Sequence, residues 1–161
     1  MVLLFALCAC TGSETTSDST QPPQLPKDPC GVVSESDVAR AMGVAVKGSA
    51  PVPAKRMRVP GGPRLCEYEM DGRYLTVVVA VEPSNASAFA RVRDRDPRNN
   101  DPIQALGEEA FSSGLGSVWV RAGAGYFVVG VQRRPGREAV RDLRQLAAAG
   151  LDQMGFPRSS P

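Results

Sequence analysis

The stretch CEYEMDGRYLTVVVAV, residues 66–81, decides the fold. Two runs of β-forming residues flank Asp71-Gly72, and this pair favours the tight turn of a hairpin. In the second run, residues 74–81, both alternating faces are largely apolar. A strand that is apolar on both faces is typical of the middle of a sheet. The sequence therefore predicts a sheet built around residues 74–81.

A second hairpin is predicted from residues 117–122 and 126–132, which are joined by Gly123-Ala124-Gly125. A glycine-rich loop that cradles phosphate leads from a strand into a helix. Because this loop leads from strand to strand, we interpret it as a hairpin turn and not as a nucleotide site.

Three segments carry the spacing of helices. The first begins at the capping box Ser34-Glu35-Ser36-Asp37 and ends at Gly43. The second begins at Ser84 or Asn85, and the third and longest covers residues 137–154. The residues predicted to face inward are Val38, Ala41, Met42, Phe89, Val92, Val140, Leu143, Ala147, Leu151 and Met154.

The predicted order is helix-strand-strand-helix-strand-strand-helix. This order indicates an α+β fold, with an antiparallel sheet of four to five strands and helices packed on one side. Residues 47–63 are rich in Pro, Gly and basic side chains, so we expect mainly an irregular connection there. A single globular domain is expected over residues 30–157.

The apolar run at residues 2–9 is far shorter than the roughly 20 residues that span a bilayer. It matches the hydrophobic part of a secretory leader, although no Lys or Arg precedes it. The following residues 11–29 are polar and rich in Pro, Ser and Thr, a composition that predicts a disordered stalk.

The motif Leu7-Cys8-Ala9-Cys10 resembles the lipobox of bacterial lipoproteins, with Leu three positions before the modified Cys and a small residue directly before it. The resemblance implies that residues 1–9 are a signal peptide, that the Cys10 thiol carries a diacylglyceryl group, and that the new amino group is acylated, for example with palmitate. Cys8 fits less well, because Leu7 would then occupy the small-residue position. The alternative is an apolar N-terminal strand with two incidental cysteines.

Cys30 and Cys66 remain as an even pair in an exported domain, and this favours a disulfide between them. The alternative is two buried free thiols. A cysteine metal site is not expected, since two cysteines without histidine supply too few ligands.

Asp28-Pro29-Cys30 leads into the helix that ends at Gly43, and Cys66 follows near Tyr68. This pattern, over residues 28–154, resembles a family of small actinobacterial lipoproteins that contain a domain of unknown function. The resemblance implies a Cys30–Cys66 bridge and a location on the extracytoplasmic face of the cell membrane, and it carries over no catalytic residue.

Composition argues against several chemistries. The sequence contains no histidine, which removes the commonest general base and metal ligand. The net charge is only +2 and forms no basic stripe, so nucleic acid is not an expected partner. Glu67 and Glu69 share a strand face and could form an acid/base pair, but exposed strand carboxylates are much commoner. The loop aspartates Asp94, Asp96 and Asp101 lack the remaining features of a calcium loop.

Trp119, Tyr126 and Tyr74 are the candidates for a ligand or partner surface, because large aromatics on hairpins can line a groove or an interface. Packing within the domain is the alternative. We expect no enzyme, cofactor or metal, and instead a lipid-anchored binding or sensor module for an envelope protein or small ligand. A structural envelope interaction protein and a carboxylate-dependent hydrolase are the other hypotheses.

Overall fold

The computed structural model describes residues 24–52, 64–70, 76–82, 86–95, 100–114, 116–131 and 137–157. The helices of these residues are α1 (Glu35–Met42), α2 (Ala86–Arg95) and α3 (Arg137–Gln153). The strands are β1 (Val46–Pro51), β2 (Arg64–Met70), β3 (Thr76–Glu82), β4 (Asn100–Ile103), β5 (Glu109–Ser113), β6 (Ser117–Ala122) and β7 (Gly125–Val131). A short 3-10 turn, Pro29–Gly31, precedes α1.

Within the described part of the chain, seven strands form one antiparallel sheet in the order β1-β2-β3-β7-β6-β5-β4. The predicted α+β class with an antiparallel sheet is confirmed. The strands of both predicted hairpins are antiparallel neighbours, and β3 joins them by pairing with β2 on one side and β7 on the other. The predicted turn at Asp71-Gly72 lies outside the described residues. The apolar strand over residues 76–82 is therefore interior to the sheet, as its two apolar faces predicted.

The two faces of the sheet bury different side chains, because successive residues of a strand point in opposite directions. Helices α1 and α3 pack together on one face, where Phe127 and Val129 of β7 share the main core with Leu143 of α3. Tyr126, beside Phe127 in β7, instead contacts Phe89 of α2. Helices α1 and α3 thus cover one face, and α2 lies on the other.

The sheet has seven strands where four to five were predicted, because the sequence pattern located only β2, β3, β6 and β7 and missed β1, β4 and β5. β1 lies within residues 47–63, and the prediction of an irregular connection there is wrong at residues 47–51. The edge strands β1 and β4 contain Pro51 and Pro102. Proline is tolerated on an edge strand because no neighbouring strand needs its missing N–H for a hydrogen bond. A proline there also discourages the edge from pairing with another chain.

The predicted ends of α1 are confirmed. The Ser34 hydroxyl accepts a hydrogen bond from the Asp37 amide at 3.1 Å. At the other end Gly43 has a φ of 63°, the left-handed conformation that favours glycine. Between them Val38 is fully buried in the main core.

The substitution Gly43→Ala is expected to lower the free energy of unfolding by about 1 kcal/mol, because a side chain disfavours this φ although nothing lies within 4 Å of the new Cβ. Gly48 is a matched control, since its Cβ would also meet nothing within 4 Å and its φ is not positive. Denaturant unfolding of both variants measures the difference. Equal stability of Gly43→Ala and Gly48→Ala would contradict the assignment of Gly43 as a left-handed cap.

Candidate functional site

The segment through which the chain enters the domain, residues 24–33, lies against β2, and we call it the strap. A disulfide joins Cys30 of the strap to Cys66 of β2, with the Cα atoms 5.1 Å apart. Cys66 is fully buried within the main core. The strap is therefore bonded covalently to the second strand of the sheet.

Two further residues of β2 hold the strap on either side of the disulfide. The guanidinium of Arg64 donates hydrogen bonds to the carbonyl oxygens of Pro26, at 3.2 Å, and Lys27. The hydroxyl of Tyr68 donates to the carbonyl oxygen of Val33 at 2.8 Å. Arg64, Cys66 and Tyr68 share one face of β2 because side chains alternate along a strand, and we call these three residues the clasp.

The strap extends the folded region beyond the predicted boundary. Residues 10–29 were predicted to form the lipidated stalk, but Leu25 packs against the main core and Pro29 is buried. The Asp28 side chain accepts a hydrogen bond from the Cys30 amide at 2.9 Å and so caps the 3-10 turn. The predicted signal peptide, Cys10 and the stalk up to residue 23 lie outside the described residues.

Burial raises the pKa of the Tyr68 phenol well above its usual value, and the nearby carboxylates of Asp28 and Glu35 add to the rise. A phenol with a raised pKa keeps its proton throughout the neutral range. Tyr68 therefore remains a hydrogen-bond donor to the strap wherever the domain is folded near neutral pH.

A cavity of about 300 Å³ opens where the strap meets the adjoining ends of β1 and β2. The described residues that line it are Lys27, Asp28, Pro29, Pro51, Val52, Arg64 and Leu65. This volume is at the lower end of the range for small-molecule sites, about 300–1,000 Å³. The cavity combines apolar walls with two cationic side chains.

The predicted surface residues Trp119 and Tyr126 belong to an aromatic cluster on the α2 face of the sheet. The ring of Trp119 stacks against Phe111 on one neighbouring strand, with centroids 5.8 Å apart, and against Tyr126 on the other, at 5.5 Å. Phe89 of α2 meets Phe111 edge-on at 5.1 Å. Tyr74, the third predicted residue, lies outside the described residues.

This arrangement leaves little of the aromatic cluster for a ligand. Tyr126 is only 6% exposed, and both ring faces of Trp119 have aromatic neighbours. The Trp119 indole N–H donates to the Ser117 hydroxyl at 3.0 Å. A ligand could meet the edge of the half-buried Trp119 but not stack on its face.

Polar contacts fasten the C-terminal end of α2 over this cluster. Arg93 of α2 pairs with Glu109 of β5, which also lies 3.5 Å from Arg121 of β6. The side-chain amide of Asn100 donates to the Arg93 carbonyl at 2.8 Å. Arg93 also pairs with Asp94 and lowers the pKa of that carboxyl group by hydrogen bonding. These contacts hold α2 against the sheet.

The other acidic candidates are spread over the domain. Glu67 is half-buried and Glu69 exposed on the face of β2 opposite the clasp, as strand alternation predicts. Asp101 is exposed on β4, whereas Asp96 lies outside the described residues. The described residues bring no three His, Cys, Asp or Glu side chains together in a geometry for a metal ion. None of their helices is long and apolar enough to cross a membrane.

The chain matches no protein-family model, no curated protein and no solved structure.

Replacing Cys30 and Cys66 together by alanine is expected to lower the free energy of unfolding by about 2–5 kcal/mol, since the bridge closes a long loop in the unfolded chain. Denaturant unfolding with and without reductant measures this loss. Reductant should destabilise the native chain and leave the double variant unchanged. A native chain that is indifferent to reductant would contradict the covalent bond between strap and sheet.

The substitution Tyr68→Phe is expected to lower the free energy of unfolding by about 1–3 kcal/mol at neutral pH. The reason is that the buried Val33 carbonyl loses the hydroxyl that donates to it. The raised pKa makes the contribution of Tyr68 to stability depend on pH. The unfolded phenol ionises near pH 10 while the folded one does not, so this contribution is complete below about pH 10 and is lost as the pH rises further. Denaturant unfolding should show a smaller difference in the free energy of unfolding between the unsubstituted chain and Tyr68→Phe at pH 11 than at pH 7. A constant difference would contradict this account.

Proposed function

We propose that this protein is an extracytoplasmic lipoprotein that is anchored to the cell membrane through Cys10 and carries a non-catalytic binding domain. The observation that carries the proposal is the disulfide that joins Cys30 of the strap to Cys66 of the sheet. It supports the proposal because disulfides persist in oxidising compartments outside the cytoplasm and are rare within it.

The place of the disulfide suits a tethered domain. The strap is the route by which the chain leads from Cys10 into the fold, and the bridge lies at its end nearest α1. A pull on the tether first loads Leu25 and the carbonyl groups that Arg64 binds, and the covalent bond at Cys30 then carries it to β2. The hydrogen bonds of Arg64 share this load, and Tyr68 holds the strap to β2 beyond the bridge, at Val33.

The sequence supports the anchor at Cys10 independently. The Leu7-Cys8-Ala9-Cys10 motif provides the residues that lipobox processing requires, and the apolar run before it matches a leader. A diacylated or triacylated cysteine provides stable membrane attachment, whereas one acyl chain alone is marginal.

Binding is favoured over catalysis because three of the described side chains that could act as acids or bases are engaged structurally. Glu109 and Asp94 pair with Arg93, and the Tyr68 phenol holds the strap. The full sequence lacks histidine. The half-exposed Leu65 and Glu67 on the α2 face of β2 offer a mixed apolar and acidic surface of the kind that contacts a partner.

Intact mass analysis of the membrane-extracted protein tests the anchor. We expect the mass of a chain that starts at Cys10 and carries diacylglyceryl and acyl groups. The variant Cys10→Ser should lose the lipid mass, and the matched control Cys8→Ser should keep it. Lipid that depends on Cys8, or a membrane-extracted chain without lipid, would contradict the proposal.

The binding role is tested on the same extract by comparing native and denaturing mass spectra. A bound envelope protein or small ligand adds mass that disappears on denaturation. Identical masses under the two conditions would contradict the binding role while leaving the anchor intact.

A further inference from the structure

The cavity at the junction of strap and sheet has the chemistry of a phospholipid headgroup site. The apolar residues Pro29, Pro51, Val52 and Leu65 contribute to its lining. Two cations, Lys27 and Arg64, lie at the same cavity. An opening with apolar walls and cationic side chains fits a phosphate ester attached to carbon chains.

The charge balance at this cavity is positive. Among the described lining residues Asp28 is the only acidic one, and one of its carboxylate oxygens accepts a hydrogen bond from the Cys30 amide. Lys27 uses its backbone carbonyl to bind Arg64, and its side chain is exposed.

The cavity also lies where the tether would bring it to a membrane. The strap itself forms one wall, and its first described residue, Gln24, follows Cys10 by fourteen positions. A chain of that length spans at most about 50 Å even when fully extended. A lipid at Cys10 therefore keeps the cavity within about 50 Å of the headgroup layer, so that it can reach the membrane surface.

We propose that this cavity docks the domain onto the anionic phospholipid surface to which Cys10 tethers it. The inference rests on the proposed anchor for its setting, but the docking site is a separate feature of the folded domain. Lys27 binds the lipid phosphate, and the apolar walls contact the glycerol and the first acyl carbons. The domain then has a preferred orientation at the membrane. The strap faces the bilayer, and β4, at the other edge of the sheet, points away from it.

The docking site can be tested without the anchor. Every residue of both buried clusters lies between Leu25 and Phe156, together with the disulfide, so a chain of residues 11–161 keeps the whole folded core. The probe is co-sedimentation of this chain with phosphatidylglycerol vesicles and with phosphatidylcholine vesicles at low ionic strength. We expect binding to the anionic vesicles that decreases with added salt.

The variant Lys27→Glu is expected to weaken binding to phosphatidylglycerol vesicles by at least about five-fold, the effect of losing one cation at a membrane surface. The matched control is Arg95→Glu, which changes the net charge equally. Arg95 is exposed at the end of α2, next to β4 at the far edge of the sheet. This control should bind as the unsubstituted chain does.

Equal binding to both kinds of vesicle, equal loss in the two variants, or no binding at all would overturn the docking proposal. Those results would leave the mass of the lipidated protein unaffected. Conversely, a chain without lipid at Cys10 whose domain still binds anionic vesicles through Lys27 would overturn the anchor and keep the docking site.

Discussion

The rest of this structure depends on the covalent bond between the strap and the sheet. Cys30 and Cys66 join the point where the chain enters the domain to an interior strand. Because Arg64 and Tyr68 flank Cys66 on the same face of β2, the bond is reinforced by hydrogen bonds on both sides. A domain of this size has only about 5–15 kcal/mol of stability, so a bridge of a few kcal/mol is a large part of it.

The sheet divides the domain into two parts with different chemistry. On one face, α1, α3 and the strap enclose an almost wholly aliphatic core. On the other, α2 rests on a small aromatic cluster and is held in place by Arg93, Glu109 and Asn100. The aliphatic side provides most of the buried apolar area, and therefore most of the hydrophobic stabilisation. The α2 side leaves Leu65, Glu67 and Glu69 of β2 at least partly exposed.

Much of the fold follows from local patterns in the sequence. The capping box and Gly43 predicted the ends of α1, and the apolar run at 74–81 predicted an interior strand. The edge strands β1 and β4 escaped prediction because each contains proline and lacks the alternation of apolar and polar residues that marks a strand. They are defined by pairing with β2 and β5, and pairing leaves no local signal.

The candidate site was also only partly predictable, because contacts between distant parts of the chain leave no local pattern in the sequence. The two cysteines were readable as a pair, but the roles of Arg64 and Tyr68 were not, since both bind backbone carbonyls that any residue could supply. The available signal was their position two residues before and after Cys66, which puts all three side chains on one face of a strand. The packing of Trp119 between Phe111 and Tyr126 depends on strand register, which the sequence does not specify.

The central claim is that the strap is part of the folded domain and is held there by the clasp. Amide hydrogen exchange of Cys30, Gly31 and Val32 tests it most directly, since each of these amides donates a hydrogen bond within the strap. The account predicts that in the oxidised protein they exchange about as slowly as the amides of β2, and much faster after reduction. Exchange at the rate of an unstructured chain in the oxidised protein would contradict it.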